Sequence, residues 1–246
     1  VARRLQLSPS TLSLFRECAR CFWLRINRKL ERPSGPFPSI ASGLDSKIKR
    51  YCDRYRMNGG LPPLLEGRLV GRLSADKISS LKFVDPNLEG DLTGRLDDCL
   101  VLPDNLYAPL DHKTRASAPE AAGYSLQYYK LQMDVYTFLL DKNNRPAARK
   151  AFLVYYYPVD GELHQGFPFQ VFVDQIDTNP GAAFETFRLA LDVLRGPLPS
   201  PGPECSFCNW VSGCRAEEPS QSDEVVGVAK VLSSLEVTGA SPESRH

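Results

Sequence analysis

No apolar run in this chain approaches the roughly 20 residues that a membrane-spanning helix needs, and the first residues carry no signal-peptide pattern. A membrane-spanning helix is therefore excluded at the level of sequence, and a soluble, cytoplasmic protein is the expectation. No internal repeat is visible, which excludes a solenoid or propeller. The net charge is only +1 in 246 residues, so total charge argues for no particular partner. The seven cysteines are odd in number, and with no secretory feature beside them they read as ligands or buried thiols rather than a disulfide framework.

What is present is uneven. Arg3, Arg4, Arg16, Arg20, Arg25, Arg28, Lys29 and Arg32 crowd the first residues against only Glu17 and Glu31. A second basic cluster is Lys47, Lys49, Arg50, Arg54 and Arg56. Such a segment suits a polyanion, although solvated helix faces give the same pattern. After Arg215 the chain turns acidic, rich in Ser and Glu and free of aromatics, so residues 217–246 read as a polar, weakly ordered tail. Residues 1–216 read as one domain.

Local signals order that domain. Ser8 is placed to cap a helix with Pro9 at its first position, and Leu12, Phe15, Cys18 and Phe22 recur at helical spacing. Prolines and Gly35 mark a loop over 33–41, and a second helix is expected from Gly43 to Met57. Residues 67–115 read as strands and turns, 119–141 as a long helix, and 151–159 with 165–173 as a further strand pair. Asn179-Pro180 opens a helix ending near Gly196. Pro197, Pro199, Pro201 and Pro203 form a stiff connector to a Cys-rich end. This order is that of an α/β fold with a central mixed sheet flanked by helices.

The chemistry concentrates in residues 94–115, GRLDDCLVLPDNLYAPLDHKTR. Two apolar runs joined at Pro103-Asp104-Asn105 read as a β-hairpin with Asp97 near the start of the first and Asp111-His112-Lys113 at the end of the second. Residues two apart share a strand face, so Asp111 and Lys113 point the same way. With Asp97 alongside, two carboxylates and an ammonium converge. Hard divalent cations take oxygen ligands, and Mg²⁺ is commonly held by one or two carboxylates plus phosphate and water. The set fits Mg²⁺ or Mn²⁺ and a phosphodiester, with the lysine stabilising charge rather than acting as a base. On the long helix, Gln132 and Tyr136 are four apart and share a face.

Near the C-terminal end of the domain, Cys205-x-x-Cys208 is followed by Cys214. Three cysteines cannot complete a four-coordinate site, and Cys18 or Cys21 is available as a fourth. From chemistry alone, a structural zinc site and a [4Fe–4S] cluster stay open. Cys52 and Cys99 read as buried small hydrophobes.

Gly94-x-x-Asp97, Asp111-x-Lys113-Thr114 and Gln132-x-x-x-Tyr136 together resemble the PD-(D/E)XK nuclease superfamily, with its restriction-endonuclease-like core. Within it, the chain is similar to RecB/AddB-type and CRISPR-associated RecB-like iron-sulfur exonucleases. Their N-terminal pattern is matched by Ser8 through Leu12, Phe15, Cys18 and Phe22, with Ala19 where that pattern has proline. The resemblance runs over residues 7–215. It implies a metal-dependent DNA nuclease, an exonuclease acting on ends or single strands, in repair, recombination or defence. It implies Asp97, Asp111 and the backbone carbonyl of His112 as metal contacts, Lys113 as the catalytic lysine, and Gln132 and Tyr136 as strand-positioning residues. It also implies a [4Fe–4S] cluster on Cys18, Cys205, Cys208 and Cys214. The family often carries a histidine ligand on the helix after the first loop. The only histidines here are His112, His164 and His246, and Asp45 or Lys47 occupies that neighbourhood. No P-loop is present, so unwinding would fall to a helicase or recombination partner on another chain. A non-catalytic nucleic-acid-binding module and a zinc-stapled scaffold are the alternatives.

Overall fold

The computed structural model describes residues 4–35, 39–78, 80–119 and 124–216. The expected tail, 217–246, lies outside the described residues. The chain divides into two compact units, which part between Gly202 and Pro203. The boundary falls inside the proline-rich connector read from the sequence.

The first unit is a mixed α/β structure. It opens with β1 (Leu5–Leu7), α1 (Pro9–Glu17), α2 (Ala19–Arg28) and α3 (Ser39–Arg56). Five strands follow: β2 (Arg72–Leu73), β3 (Leu81–Asp85), β4 (Gly90–Gly94), β5 (Asp98–Val101) and β6 (Tyr107–Thr114). Then come α4 (Tyr124–Lys142), β7 (Lys150–Pro158), β8 (Phe169–Asp177) and α5 (Pro180–Arg195). The strands form two sheets rather than the single one expected, ordered β1-β4-β3 and β2-β5-β6-β7-β8. In the larger sheet β6 and β7 are parallel and the other pairs antiparallel, so it is mixed.

The larger sheet is covered on both faces, which is why AFLVYYY reads as a continuous apolar run rather than an alternation. Phe152, Val154 and Tyr156 of β7 join Ala108 and Leu110 of β6 in a core that includes Cys52 of α3. The alternate residues Ala151, Leu153 and Tyr155 are equally buried on the other face. On β6 this alternation sends Asp111 and Lys113 to one face and His112 to the other.

The expected hairpin is β5–β6, with Asp98 opposite Leu110 and Val101 opposite Tyr107. Its turn is held by the Asn105 N–H to the Leu102 carbonyl (2.9 Å) and the Leu106 N–H to Asp104 Oδ1 (3.1 Å). Asn105 sits at φ 62°, a conformation that Asn tolerates better than most residues.

One helical expectation differs in detail. Ser8 caps α1 with Pro9 in its first turn, as expected, but the run from Leu12 to Phe22 is two helices. Cys18 adopts an extended backbone (φ −159°, ψ 106°) and breaks the run between them. α2 is tied to the end of α5 by its polar side chains. Asn27 Nδ2 donates to the Leu194 carbonyl (2.9 Å) and Trp23 Nε1 to the Gly196 carbonyl (3.0 Å). These bonds serve carbonyls that a helix end leaves without intrahelical partners. In the second unit, the Cys-rich end forms a helix, α6 (Ser206–Ala216).

Candidate active site

The site lies where the two sheets meet. β4 ends at Gly94 in the small sheet, and after three intervening residues β5 begins in the large one. Gly94 meets α4 closely. A Cβ there would lie 2.6 Å from Leu139 Cδ1 and 3.1 Å from Tyr136 Cε1, so a side chain would force Leu139, Tyr136 or α4 to shift. This close approach lets Tyr136 donate a hydrogen bond to the Arg95 carbonyl (2.7 Å). Gln132, one turn earlier, donates from Nε2 to Tyr136 Oη (3.0 Å) and to Asp111 Oδ1 (3.1 Å). The Gly94-x-x-Asp97 and Gln132-x-x-x-Tyr136 motifs are thus two sides of one contact.

The register that pairs Asp98 with Leu110 brings Asp97 beside Asp111. Asp97 Oδ2 accepts the backbone N–H of His112 (3.2 Å), and its Oδ1 lies 2.7 Å from Lys49 Nζ. Asp111 is 2 % exposed. Its buried Oδ2 is paired with Lys113 Nζ at 2.5 Å. Burial pushes the Asp111 carboxyl upward, and the Asp97 charge adds to that, with Lys113 opposing. The Tyr136 phenol is also pushed up, by burial and then by Asp111, which keeps it a neutral donor. Lys113 lies over the Tyr129 ring, 4.5 Å from its centroid. All five expected side chains, Asp97, Asp111, Lys113, Gln132 and Tyr136, therefore share one surface.

His112 points the other way. Its Nδ1 is 3.1 Å from Tyr156 Oη, and its Nε2 is 3.8 Å from both Cys52 Sγ and Asp98 Oδ2. Arg56 crosses from α3 to donate to Asp98 Oδ1 (2.8 Å) and the Ser74 carbonyl (2.8 Å). Burial pulls the His112 pKa down, but contacts with Asp98 and Cys52 outweigh it and push it up to about 10. The potential ligand atoms of Cys52, Asp98 and His112 lie within 4.8 Å of one another. Yet Arg56 already supplies the positive charge that Asp98 needs, so the cluster is a polar clamp between α3 and the sheet.

Sequence reasoning did not find Lys49 at this centre. Its Nζ also lies 2.9 Å from Asp45 Oδ2, one helical turn away. Burial lowers the Lys49 pKa, but hydrogen bonds and charges from Asp97 and Asp45 outweigh it and raise the net value. The Asp45/Lys49 spacing of four was a signal for an intrahelical pair only. The Arg95 carbonyl and Tyr129 were missed as well, since neither has a motif.

A cleft of about 560 Å³ opens beside these residues, lined among others by Ser10, Ser13, Arg95, Tyr128, Gln132 and Tyr136. Tyr128 is 58 % exposed, and its ring centroid lies 4.7 Å from that of Tyr124. The Arg115 guanidinium lies 4.0 Å over the Tyr124 ring.

The cysteines are distributed between the units. In the first, Cys18 and Cys21 are buried, and Cys18 precedes α2 while Cys21 lies three residues on. In the second, Cys205 is buried immediately before α6, Cys208 is half-buried, and Cys214 is exposed. At 3.6 residues per turn, Cys214 is rotated about 120° from Cys208 around α6.

The family model for the PD-(D/E)XK nuclease superfamily matches residues 61–215. No curated protein matches. A solved structure described as the crystal structure of SSO0001 is 17% identical to this chain. The alignment covers 89% of this chain and 90% of that one, with a TM-score of 0.42.

Proposed function

Because this chain belongs to the PD-(D/E)XK nuclease superfamily, we propose that it is a metal-dependent DNA nuclease. The observation that carries the reading is the convergence of two carboxylates, the buried Asp111 and Asp97 beside it, with the Lys113 ammonium 2.5 Å from Asp111 Oδ2. Such a donor set fits a hard divalent cation, Mg²⁺ or Mn²⁺. Asp97 and Asp111 would hold the ion. His112 would add its carbonyl, because a strand residue's N–H and C=O face the same neighbour and the His112 N–H already faces Asp97. When bound, the ion supplies Lewis-acid activation and stabilises charge on the phosphodiester.

The remaining work falls to this chain's own groups. Lys113 is held between Asp111 and the Tyr129 face, so its ammonium is oriented toward the carboxylates with little freedom. It would stabilise negative charge as it develops on the phosphate. Gln132 fixes the Asp111 orientation, and Tyr136 fixes the Arg95 backbone at the mouth of the cleft. In this reading the two would position the substrate strand. The cleft is of the size that admits a small-molecule fragment, about 300–1,000 Å³, so a base entering it must be unpaired. The exposed Tyr128 offers that base a stacking face. These features support action on single strands or ends, and hence an exonuclease.

The finer setting follows the resemblance. The chain would act in the cytoplasm in DNA repair, recombination or defence, with unwinding left to a helicase or recombination partner. Cys18, Cys205, Cys208 and Cys214 would hold a [4Fe–4S] cluster. The chemistry of four thiols fits such a cluster and fits zinc equally. Since Cys214 is exposed and Cys21 is buried, Cys21→Ser and Cys214→Ser separate the two candidates for the fourth ligand. Iron and sulfide content after anaerobic purification reads the outcome. Zinc without iron refutes the cluster.

The nuclease reading is tested by Lys113→Ala on labelled single-stranded DNA. Cleavage should be lost while binding is retained. Equal cleavage by the variant would refute the assignment of Lys113.

A further inference from the structure

The strongest unassigned feature is the cation already seated at the proposed metal centre. Lys49 Nζ lies 2.7 Å from Asp97 Oδ1 and 2.9 Å from Asp45 Oδ2, so one ammonium joins carboxylates from α3 and from the start of β5. We propose that Lys49 is the resident counter-ion of this centre, that a divalent cation displaces it, and that Asp45 then becomes a ligand beside Asp97 and Asp111. This inference rests on the metal-dependent reading above.

Four observations carry it. First, charge: three carboxylates face two ammoniums, Lys49 and Lys113. A divalent ion added to that set leaves it one charge positive, whereas an ion taken in exchange for Lys49 makes it neutral. Second, Asp97 is pinned at its other oxygen by the His112 N–H. Its Oδ1 therefore keeps its direction when Lys49 leaves. Third, the two lysines differ in freedom. Lys113 is fixed against Asp111 and the Tyr129 ring. Lys49 has 31% of its side chain exposed, and its flexible stem can carry the ammonium into water. Fourth, the buried Asp111 is balanced by Lys113 at 2.5 Å, which leaves the Lys49 charge to Asp97 and Asp45.

Asp45 is on α3, and Lys49 one turn later holds it toward Asp97.

The test measures Mn²⁺ binding to the whole chain, by electron paramagnetic resonance of free Mn²⁺ after chelator treatment and without DNA. Lys49→Met should bind Mn²⁺ about tenfold more tightly than wild type, equivalent to about 1.4 kcal/mol. Asp45→Asn should bind about tenfold more weakly. Lys49→Arg keeps the charge and should bind no more tightly than wild type. In chelator, Lys49→Met should melt at a lower temperature and gain more on Mn²⁺ addition, which also shows that it folds. Unchanged or weaker binding by Lys49→Met overturns the counter-ion role, as does tightening by Lys49→Arg. Wild-type affinity in Asp45→Asn overturns the ligand role. If wild type binds no Mn²⁺, the metal-dependent reading itself fails. Binding that is indifferent to Lys49 and Asp45 refutes only the present inference.

Discussion

Replacing Asp111 by asparagine should make the metal-free protein more stable while destroying its activity. Asp111 is buried to 2 % exposure, and burial raises its pKa above the ordinary 3.8. A raised folded-state pKa means that the folded protein holds this proton more tightly than the unfolded chain. The stability linked to the proton is therefore complete below pH 3.8 and is lost as pH rises through the higher folded value. As pH rises, the wild type carries the cost of ionising this carboxyl in the folded state. Taking a carboxylate out of water costs several kcal/mol, of which the ion pair with Lys113 restores only part. Asparagine keeps the bond from Gln132 to Oδ1 (3.1 Å) and removes the charge. It also loses the 2.5 Å pair with Lys113, whose ammonium keeps the Tyr129 face and, with the side chain 21% exposed, contact with water. The net gain should be about 1–3 kcal/mol, or a rise in Tm of about 2–12 °C for a domain of this size. Urea unfolding in chelator measures it. The gain should vanish toward pH 3.8, where the wild-type carboxyl is protonated. Divalent metal should reverse the order, since an ion at one hundred times its Kd stabilises the wild type by about 2.7 kcal/mol and the variant much less. A variant less stable than wild type in chelator at pH 7 would refute the claim that this carboxylate is held against its own solvation.

Three further outcomes follow from the same geometry. Gly94→Ala should cost about 1–3 kcal/mol in urea unfolding, because its Cβ meets Leu139 Cδ1 at 2.6 Å; adding Leu139→Ala should relieve part of the clash, and a neutral Gly94→Ala would show that the contact is slack. Arg56→Ala should cost about 3–5 kcal/mol by stranding Asp98 in the core, with the Arg56→Ala/Asp98→Ala pair losing less than the two single costs added; strict additivity would argue that the two do not interact. His112, raised from 6.5 to about 10, contributes proton-linked stability that is complete below pH 6.5 and lost as pH rises through 10, so stability followed from pH 7 to 11 should fall less in His112→Gln than in wild type.

The hairpin carrying Asp97, Asp111 and Lys113 was legible because its signals are local. Apolar runs, the Pro103-Asp104-Asn105 turn and period-two alternation fix the pairing and the face together. The caps Ser8 and Asn179 were legible for the same reason. What escaped depended on backbone geometry or long-range packing. A helical period continues through Cys18, but the backbone there is extended, and no side-chain pattern distinguishes a tight helix-helix joint from a continuous helix. The split into two sheets turns on residues 95–97, which are too few to announce a crossing. Lys49 reads in sequence as one basic residue among several, and only the packing of α3 against the start of β5 turns it toward Asp97. Gly94 shows the converse. Its motif was visible, but its reason is a ring and a leucine more than 40 residues away.

The family match covers residues 61–215, so it includes Asp97, Asp111, Lys113, Gln132 and Tyr136 but not α3.

The most direct measurement of the central claim is digestion of single-stranded, duplex and end-blocked DNA by wild type and Asp111→Asn, each with Mg²⁺, with Mn²⁺ and with chelator. The account predicts wild-type products on unblocked single strands with either metal, none in chelator, and none from Asp111→Asn under any condition. Absence of cleavage by wild type on every substrate with both metals, or equal cleavage by Asp111→Asn, would contradict it.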